Sequence, residues 1–129
     1  MVITAISPAF PAEIQLAKQV KDEGAFLIGI APASLDAVVP GEALLDISDA
    51  SFDNFSPESG GVVAIPGREQ TICPTSGVVG NIIQQMLNAQ WAEEMIKAGT
   101  VPTFMRGIYQ TGGREYNEAM TEQYQQRGY

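Results

Sequence analysis

Residues 2–30 have the sequence V-I-T-A-I-S-P-A-F-P-A-E-I-Q-L-A-K-Q-V-K-D-E-G-A-F-L-I-G-I. Val2 to Ile6 form a short run that is rich in β-branched residues and lacks clean polar alternation, as expected of a strand buried on both faces. Ala12 to Glu23 predict a helix that ends at Gly24, and Ala25 to Ile30 predict a second buried strand. A strand, a helix and a strand within about thirty residues predict a βαβ unit with parallel strands and a right-handed crossover.

The rest of the chain extends this unit into an α/β layer fold. We expect a small three-layer, Rossmann-like parallel sheet within a single domain that spans residues 1–129. The further predicted elements are a loop at 32–41, a weak third strand at Ala43–Ile47, an irregular polar stretch at 48–61, an edge strand at Val62–Ile65, irregular chain at 101–109 and a C-terminal helical tail at 112–127.

The longest predicted helix lies within Thr71 to Ala98, T-I-C-P-T-S-G-V-V-G-N-I-I-Q-Q-M-L-N-A-Q-W-A-E-E-M-I-K-A. Thr75 and Ser76 occupy the position of N-caps, and Gly99 supplies a left-handed exit. The polar side of this helix carries amides without a single charge between residues 81 and 90, namely Asn81, Gln84, Gln85, Asn88 and Gln90. Because an exposed helix usually carries Lys and Glu there, we expect this helix to be buried on most sides, by its own sheet or by a partner subunit.

The charge balance excludes several classes of partner. Fifteen acidic residues against seven basic ones give a net charge of −8, and eight acidic residues but no basic one lie between Lys21 and Arg68. Such a chain repels the phosphates of nucleic acid and an anionic bilayer, so we expect neither nucleic acid nor a membrane as a partner. Cys73 is the only cysteine, and the sequence has no signal peptide or transmembrane run, which favours a cytoplasmic protein.

The sequence contains no histidine. This excludes Ser-His-Asp and Cys-His nucleophilic schemes and His-ligated zinc, so any chemistry has to use carboxylates, Lys, Tyr, Arg or backbone dipoles. The acidic stretch at 49–60 resembles a calcium loop, but Asn54 replaces the required glycine and Gly60 stands where the bidentate glutamate belongs. We therefore expect no metal ion and no cofactor.

Two strand-to-helix turns are candidate anion sites: Ser7 after the first strand, and Thr75 with Ser76 before the long helix. Hydroxyls and free N–H groups at a helix N-terminus can hold a phosphate, and α/β folds bind ligands at such turns. The alternative is that these residues only cap their helices. Glu69 is the candidate catalytic acid or base, with an ordinary exposed glutamate as the alternative. For Cys73 we expect a packed structural thiol.

The order of these segments resembles the second half of a sugar isomerase (SIS) domain. V-I-T-A-I-S, the helix after it and G-A-F-L-I-G-I are similar to the stretch of that family in which a serine-rich loop leads into a helix and the next strand. T-I-C-P-T-S-G-V-V-G-N resembles the family's later loop, where Ser and Thr help to bind the sugar phosphate. G-G-R-E-Y-N at 112–117 is similar to a segment of uncharacterised bacterial SIS-domain proteins. The resemblance implies a SIS-type fold with Ser7, Glu13, Thr75 and Ser76 as ligand-binding residues.

The chain also departs from the family pattern. The family's first loop has the form S-x-S-G-x-T-x-E, and only Ser7 and Glu13 match it here. Where aldose–ketose isomerases of the family have a glutamate shortly before the later hydroxyl pair, this chain has Gln70, with Glu69 beside it. The histidine that those enzymes use for ring opening does not occur. The family's N-terminal helices, first strand and first phosphate loop are not in the sequence, and we expect them to be lost or to reside on another polypeptide.

The resemblance implies a SIS-like domain that binds a phosphorylated sugar or sugar derivative, without isomerase activity of its own. One alternative is a structural or regulatory subunit that has kept the scaffold and lost the ligand. Another is one part of a split aldose–ketose sugar phosphate isomerase that a partner chain completes. Because an unpaired sheet edge invites association, we expect a homo-oligomer or a companion chain, with the uncharged side of the long helix in the contact.

Overall fold

A computed structural model describes residues 1–33, 41–57 and 60–128. The predicted loop at 32–41 falls mostly on residues 34–40, and the acidic stretch at 49–60 includes residues 58 and 59, so these parts of the two predictions lie outside the described residues. The chain divides into two compact units, Met1–Gln85 and Met86–Tyr129, and each is described by itself. A single domain over 1–129 stays a prediction.

The N-terminal unit is built on a parallel sheet. Within the described residues this sheet has three strands in the order β1 (Val2–Thr4), β2 (Ile28–Ala31) and β3 (Ala50–Asp53), and both neighbouring pairs are parallel. Helix α1 (Pro11–Asp22) joins β1 to β2. The α/β class and the strand–helix–strand unit that residues 2–30 predict are therefore confirmed.

The sequence of α1 accounts for its limits and for its buried face. Pro11 is the first helical residue, where its missing N–H costs nothing. Gly24 follows the helix with φ = +74°, the left-handed conformation that glycine adopts readily. Ala17 and Val20 lie one turn apart on the buried side and join the core cluster. The other members of that cluster are Ile3, Ala5, Leu27, Ala31 and Leu44.

Two predictions for the middle of the chain were wrong. The apolar run at Ala43–Ile47, predicted as a strand, contains the short helix α2 (Leu44–Ile47), and the third strand lies instead at Ala50–Asp53, inside the stretch predicted to be irregular. A short apolar run does not distinguish a buried helical turn from a strand. In α2, Leu44 is fully buried, and the Ser48 hydroxyl donates a hydrogen bond to the Leu44 carbonyl at 2.7 Å. The side chains of both residues lie against Gly29 of β2.

A separate antiparallel sheet precedes the long helix. Among the described residues it consists of β4 (Val63–Ala64) and β5 (Thr71–Ile72). The predicted edge strand at Val62–Ile65 thus exists as a short strand, but it is not part of the parallel sheet. Cys73, directly after β5, is exposed and has φ = +63°, so the prediction of a packed thiol was wrong.

The long helix α3 (Ser76–Lys97) contacts the sheet near its N-terminal end. Gly80 is buried, and a Cβ atom added there would lie 2.6 Å from Cγ2 of Thr4, the last residue of β1. Further along, the helix is mostly exposed, with Ile82 at 55% and Met86 at 67% exposure. We expected this helix to be buried by its own sheet or by a partner subunit. Burial by its own sheet is wrong for most of its length, because only Ser76 and Gly80 of α3 are buried, and burial by a partner stays a prediction. No helix among the described residues has the length and apolar character needed to cross a membrane.

In the C-terminal unit, hydrogen bonds join the loop that carries Arg106 to helix α4 (Gly113–Arg127). The Asn117 side chain accepts a hydrogen bond from the Arg106 N–H at 2.7 Å and donates one to the Arg106 carbonyl at 2.8 Å. The Arg106 guanidinium also lies 4.0 Å from the centre of the Tyr116 ring, a cation–π contact. Gly113 has no room for a side chain, because a Cβ there would approach the Gly107 carbonyl oxygen to 2.3 Å. The C-terminal helix predicted at 112–127 is confirmed.

Asp49 stabilises the end of the parallel sheet at which β2 and β3 begin. Its carboxylate pairs with the Lys21 ammonium at the end of α1 and accepts the Leu27 N–H at 2.8 Å. The hydrogen bond from Lys21, followed by that from Leu27, lowers the pKa of Asp49 below its ordinary value of 3.8. One carboxylate thus joins α1, the residue before β2 and the residue before β3.

The close approach of α3 to β1 gives a prediction about stability. In an unobstructed helix, Gly→Ala stabilises by up to about 1 kcal/mol, and Gly77 has open space around it. We expect Gly77→Ala to raise the free energy of unfolding, and Gly80→Ala to give no gain or to lower it, because its methyl group meets Thr4. Urea unfolding would measure both.

The double variant Gly80→Ala/Thr4→Ser supplies the control. It removes the obstructing Cγ2, so it should recover the helix stabilisation relative to Thr4→Ser alone. Equal gains at Gly77 and Gly80 in the wild-type background would contradict the close contact.

Candidate functional site

Asn54 forms hydrogen bonds at the carboxyl ends of the three parallel strands. This side chain is fully buried, and its amide nitrogen donates to the carbonyl of Ala5, just after β1, at 3.2 Å. Its backbone N–H donates to the carbonyl of Ala31 at the end of β2, also at 3.2 Å. Its amide oxygen accepts the N–H of Ser56 at 3.1 Å. One residue after β3 thus connects the ends of all three strands.

Asp53, the last residue of β3, fixes the loops beside Asn54. Its carboxylate accepts the N–H of Ala33, two residues after β2, at 3.1 Å and the N–H of Phe55 at 2.7 Å. Phe55 has φ = +53°, a left-handed conformation that is costly for a bulky residue and that occurs often at functional sites. The loops after β2 and β3 are therefore held by side-chain hydrogen bonds.

Ser7 lies at this same edge of the sheet, two residues after Ala5. Its hydroxyl is half-buried and accepts the N–H of Ala9 at 3.3 Å, which shapes the turn. Helix α1 starts at Pro11 with Phe10 as its N-cap, so Ser7 does not cap the helix. The alternative that Ser7 is only a helix cap is thus excluded, and its candidate role in binding a ligand stays a prediction.

Glu13 lies in the first turn of α1, where the helix dipole favours a carboxylate. Glu13 as a whole is half-buried, and its Oε2 atom is buried without a hydrogen-bond partner in the described chain. The hydroxyl of Ser56 in the loop after β3 is in the same condition, with the whole residue only 4% exposed. Buried polar atoms normally have partners, so two such atoms in segments next to the carboxyl edge are unusual.

The candidate pair Thr75 and Ser76 forms the start of α3. The Thr75 carbonyl accepts the N–H of Val79 at 2.9 Å, which makes Thr75 the N-cap through its backbone. Thr75 is half-buried and Ser76 is 6% exposed. Ser76 and Gly80 lie one turn apart on the same helix face, and Gly80 contacts Thr4 at the carboxyl end of β1. The helix that Thr75 and Ser76 begin thus meets the sheet about one turn further on, at Gly80, and the role of the hydroxyl pair in binding a ligand stays a prediction.

Glu69, the candidate acid or base, lies in the exposed loop that joins β4 to β5. This hairpin is not part of the parallel sheet. Neither of the two described cavities, which are lined by residues of the C-terminal unit, includes Glu69 or any other candidate residue. The catalytic role of Glu69 thus stays a prediction.

Sequence reasoning missed Asn54 and Ser56. It treated residues 48–61 as an irregular polar stretch, because an exposed edge strand such as A-S-F-D lacks the apolar run that marks a buried strand. The available signal was the D-N-F-S-P segment itself, since Asp and Asn favour turns in which their side chains bond the backbone two residues on. Both Asp53 and Asn54 make such bonds.

The geometry defines an α/β protein whose hydroxyl, amide and carboxylate groups collect at the carboxyl end of a parallel sheet. No family model matches the chain. A UPF0309 protein of Shouchella clausii is 28% identical over 127 residues, which cover 95% of this chain and 52% of that protein. A UPF0309 protein of Listeria innocua is 28% identical over 133 aligned residues, with coverages of 98% and 53%. One of Geobacillus kaustophilus is 29% identical over 126, with coverages of 91% and 49%. The chain spans about half the length of the curated relatives it matches.

The buried amide gives a prediction about pH. Asn54→Asp keeps the size of the side chain but replaces the donor that faces the Ala5 carbonyl with a buried carboxylate, at a cost of about 1–3 kcal/mol or more at pH 7. Burial raises the pKa of such an introduced carboxyl in the folded state, so the penalty should shrink as the pH falls and the protonated acid donates to Ala5.

Urea unfolding at pH 7 and at pH 4.5, each relative to wild type, measures this effect. The control is Asn81→Asp, which makes the same chemical change at an exposed position of α3 and should be close to neutral at both pH values. A penalty at position 54 that is as small as the one at position 81 would contradict the buried role of Asn54.

Proposed function

We propose that this chain is a SIS-like domain that binds a phosphorylated sugar or sugar derivative at the carboxyl edge of its parallel sheet, without isomerase activity of its own. The observation that carries the proposal is the meeting of three strand ends at Asn54, next to Ser7. In α/β folds ligands bind outside the carboxyl ends of parallel strands. The resemblance to the SIS family supplies the class of ligand.

The start of α3 is the proposed phosphate site. The first N–H groups of a helix lack intrahelical partners and favour an anion. Among the described residues, the hydroxyls of Thr75 and Ser76 have no hydrogen-bond partner. The hydroxyls of Thr75, Ser76 and Ser7 would donate hydrogen bonds to the phosphate. These donors are neutral, in a chain whose net charge is −8. A site of this kind relies on directed hydrogen bonds rather than on a positive patch.

Glu13 is proposed to bind the sugar rather than the phosphate. A carboxylate accepts hydrogen bonds and repels a phosphate, so its unpartnered Oε2 suits the hydroxyl or amino groups of a sugar ring. The absence of histidine from the sequence removes the group that related isomerases use for ring opening. Glu69 alone would have to serve as acid and base, which is why we propose binding without isomerisation.

A companion is proposed because β1 pairs only with β2 among the described residues, which leaves its outer edge without a neighbouring strand. An unpaired strand edge invites association with another chain. The partner is a second copy of this chain or a companion polypeptide, and a companion that supplies the missing acid and base would make the pair a split isomerase.

The rival function is that of a structural or regulatory subunit without a ligand. One observation favours it: Ser76 is only 6% exposed, so its hydroxyl faces mostly protein. Thr75 is half-buried and is therefore the better residue with which to separate the two functions.

Thermal unfolding with a panel of hexose, heptose and amino-sugar phosphates tests the proposal. A ligand present at a hundred times its dissociation constant should add about 2.7 kcal/mol to the free energy of unfolding. Unphosphorylated sugars and inorganic phosphate identify which part of the ligand is recognised.

Matched variants of Thr75 locate the effect. Thr75→Ala should raise the dissociation constant of the stabilising ligand at least about tenfold, which corresponds to the loss of one hydrogen bond to a charged group. The ligand should therefore stabilise this variant less than the wild type. Thr75→Ser keeps the hydroxyl and should retain the response. If no member of the panel stabilises the wild-type chain, the sugar phosphate proposal fails and the scaffold function is favoured.

A further inference from the structure

The loop after β3 contains a serine whose hydroxyl forms no hydrogen bond within the described chain. Ser56 is 4% exposed, and its Oγ atom is buried without a partner. Its backbone is nevertheless held in place, because its N–H donates to the side chain of Asn54 at 3.1 Å. Buried polar groups in folded proteins normally have partners, so this hydroxyl requires an explanation.

Two other serines of the N-terminal unit show the ordinary situation. The Ser48 hydroxyl donates to the Leu44 carbonyl at 2.7 Å, and the Ser7 hydroxyl accepts the N–H of Ala9 at 3.3 Å. Burial removes the hydrogen bonds that a hydroxyl makes with water, and a protein partner offsets that loss. Nothing offsets it at Ser56, so the ligand-free fold would be more stable with alanine at this position.

The residue before Ser56 has a strained backbone. Phe55 has φ = +53°, which is costly for a bulky side chain, and its N–H donates to the Asp53 carboxylate at 2.7 Å. Residues in such conformations cluster at ligand sites, where the strain is part of the mechanism. Two consecutive residues thus each raise the free energy of the ligand-free loop.

This loop lies at the carboxyl edge of the parallel sheet. The Asn54 side chain, which holds the Ser56 N–H, also donates to the carbonyl of Ala5, two residues before Ser7. Ligands of α/β folds bind outside the carboxyl ends of parallel strands. The unpartnered hydroxyl is therefore carried by a loop of the proposed ligand site.

We propose that Ser56 is a further ligand-binding residue of the sugar phosphate site, and that Phe55 leaves its left-handed conformation when the ligand binds. This role of Ser56 rests on the proposed function. Its hydroxyl donates to a hydroxyl oxygen of the sugar. The phosphate is the less suitable acceptor, because the Asp53 carboxylate in the same loop repels a second anion.

A conformational change is required because the Oγ atom of Ser56 is buried in the ligand-free chain. Phe55 is the residue of the loop that can supply this change. Asn54 is fixed to the strand ends by its bonds to Ala5 and Ala31. Pro57 restricts the residue before it, Ser56, to extended backbone. Relaxation of the strained Phe55 backbone would turn Ser56 relative to the sheet.

Removal of the hydroxyl should stabilise the ligand-free chain. Ser56→Ala deletes a buried polar group that has no partner, so the midpoint of urea unfolding should rise. Ser48→Ala is the matched control. It deletes a hydroxyl that has a partner, so its midpoint should fall.

The same variant should bind the ligand more weakly. The probe is a member of the panel of hexose, heptose and amino-sugar phosphates that stabilises the wild-type chain. Ser56→Ala should raise its dissociation constant roughly threefold to tenfold, the effect of losing one hydrogen bond between neutral groups. Inorganic phosphate should show no difference between the two chains, because Ser56 contacts the sugar. Ser48→Ala should bind the sugar phosphate as the wild type does.

Phe55→Asn tests the conformational change. Asparagine adopts the left-handed conformation more readily than phenylalanine, so this variant should raise the urea midpoint of the ligand-free chain. Because it stabilises the conformation that the ligand has to displace, it should also raise the dissociation constant of the sugar phosphate.

The possible failures are distinguishable. If no member of the panel stabilises the wild-type chain, the proposed function fails and the role of Ser56 fails with it. If a sugar phosphate binds Ser56→Ala as tightly as the wild type, Ser56 is not a ligand-binding residue and the proposed function stands. A Ser56→Ala chain that loses stability as Ser48→Ala does would show a structural role for the hydroxyl. Unchanged ligand binding by Phe55→Asn would overturn the conformational change.

Discussion

A single buried amide organises the N-terminal unit. Asn54 joins the ends of β1 and β2 through hydrogen bonds to Ala5 and Ala31, and it holds the loop after its own strand through Ser56. A buried amide that lost these partners would cost about 1–3 kcal/mol for each unsatisfied group, so breaking the contact at any one of these strand ends is unfavourable. The position of Ser7 beside the other strand ends, and with it the proposed ligand site, depends on this residue.

A second polar side chain, that of Asp49, stabilises the other end of the sheet, where β2 and β3 begin. Together, Asp49 and Asn54 stabilise both ends of this small sheet. Asp49 ties Lys21 and Leu27 together before β2 and β3 begin, while Asn54 acts where the strands end. The fully buried Leu27, Ile30 and Leu44 fill the space between. The C-terminal unit uses the same device in Asn117, which bonds both backbone groups of Arg106. In each case one side chain hydrogen-bonds the backbone of a segment that is distant in the sequence.

The sequence predicted the elements whose limits are set by local chemistry. Pro11 and Gly24 bound α1, Gly99 follows α3 with φ = +80°, and the strands around α1 are parallel as predicted. The predictions from sequence were wrong where contacts with distant parts of the chain determine the local structure. The apolar run that contains α2 is a helical turn whose Leu44 packs on β2, and β3 pairs with β2 at an edge of the described sheet, where a strand can be polar. The long helix was predicted to be buried by its own sheet or by a partner subunit; the described chain leaves most of it exposed, and burial by a partner stays a prediction.

The proposed site for a phosphorylated sugar is the edge organised by Asn54 together with the start of α3. Mapping ¹⁵N amide shifts of the full chain during titration with a stabilising sugar phosphate shows where the ligand binds. We expect the largest shifts at Ser7, at the loop from Asn54 to Ser56 and at the first N–H groups of α3. Shifts confined to residues 86–128, or to the exposed hairpin that carries Glu69, would show that the ligand binds elsewhere.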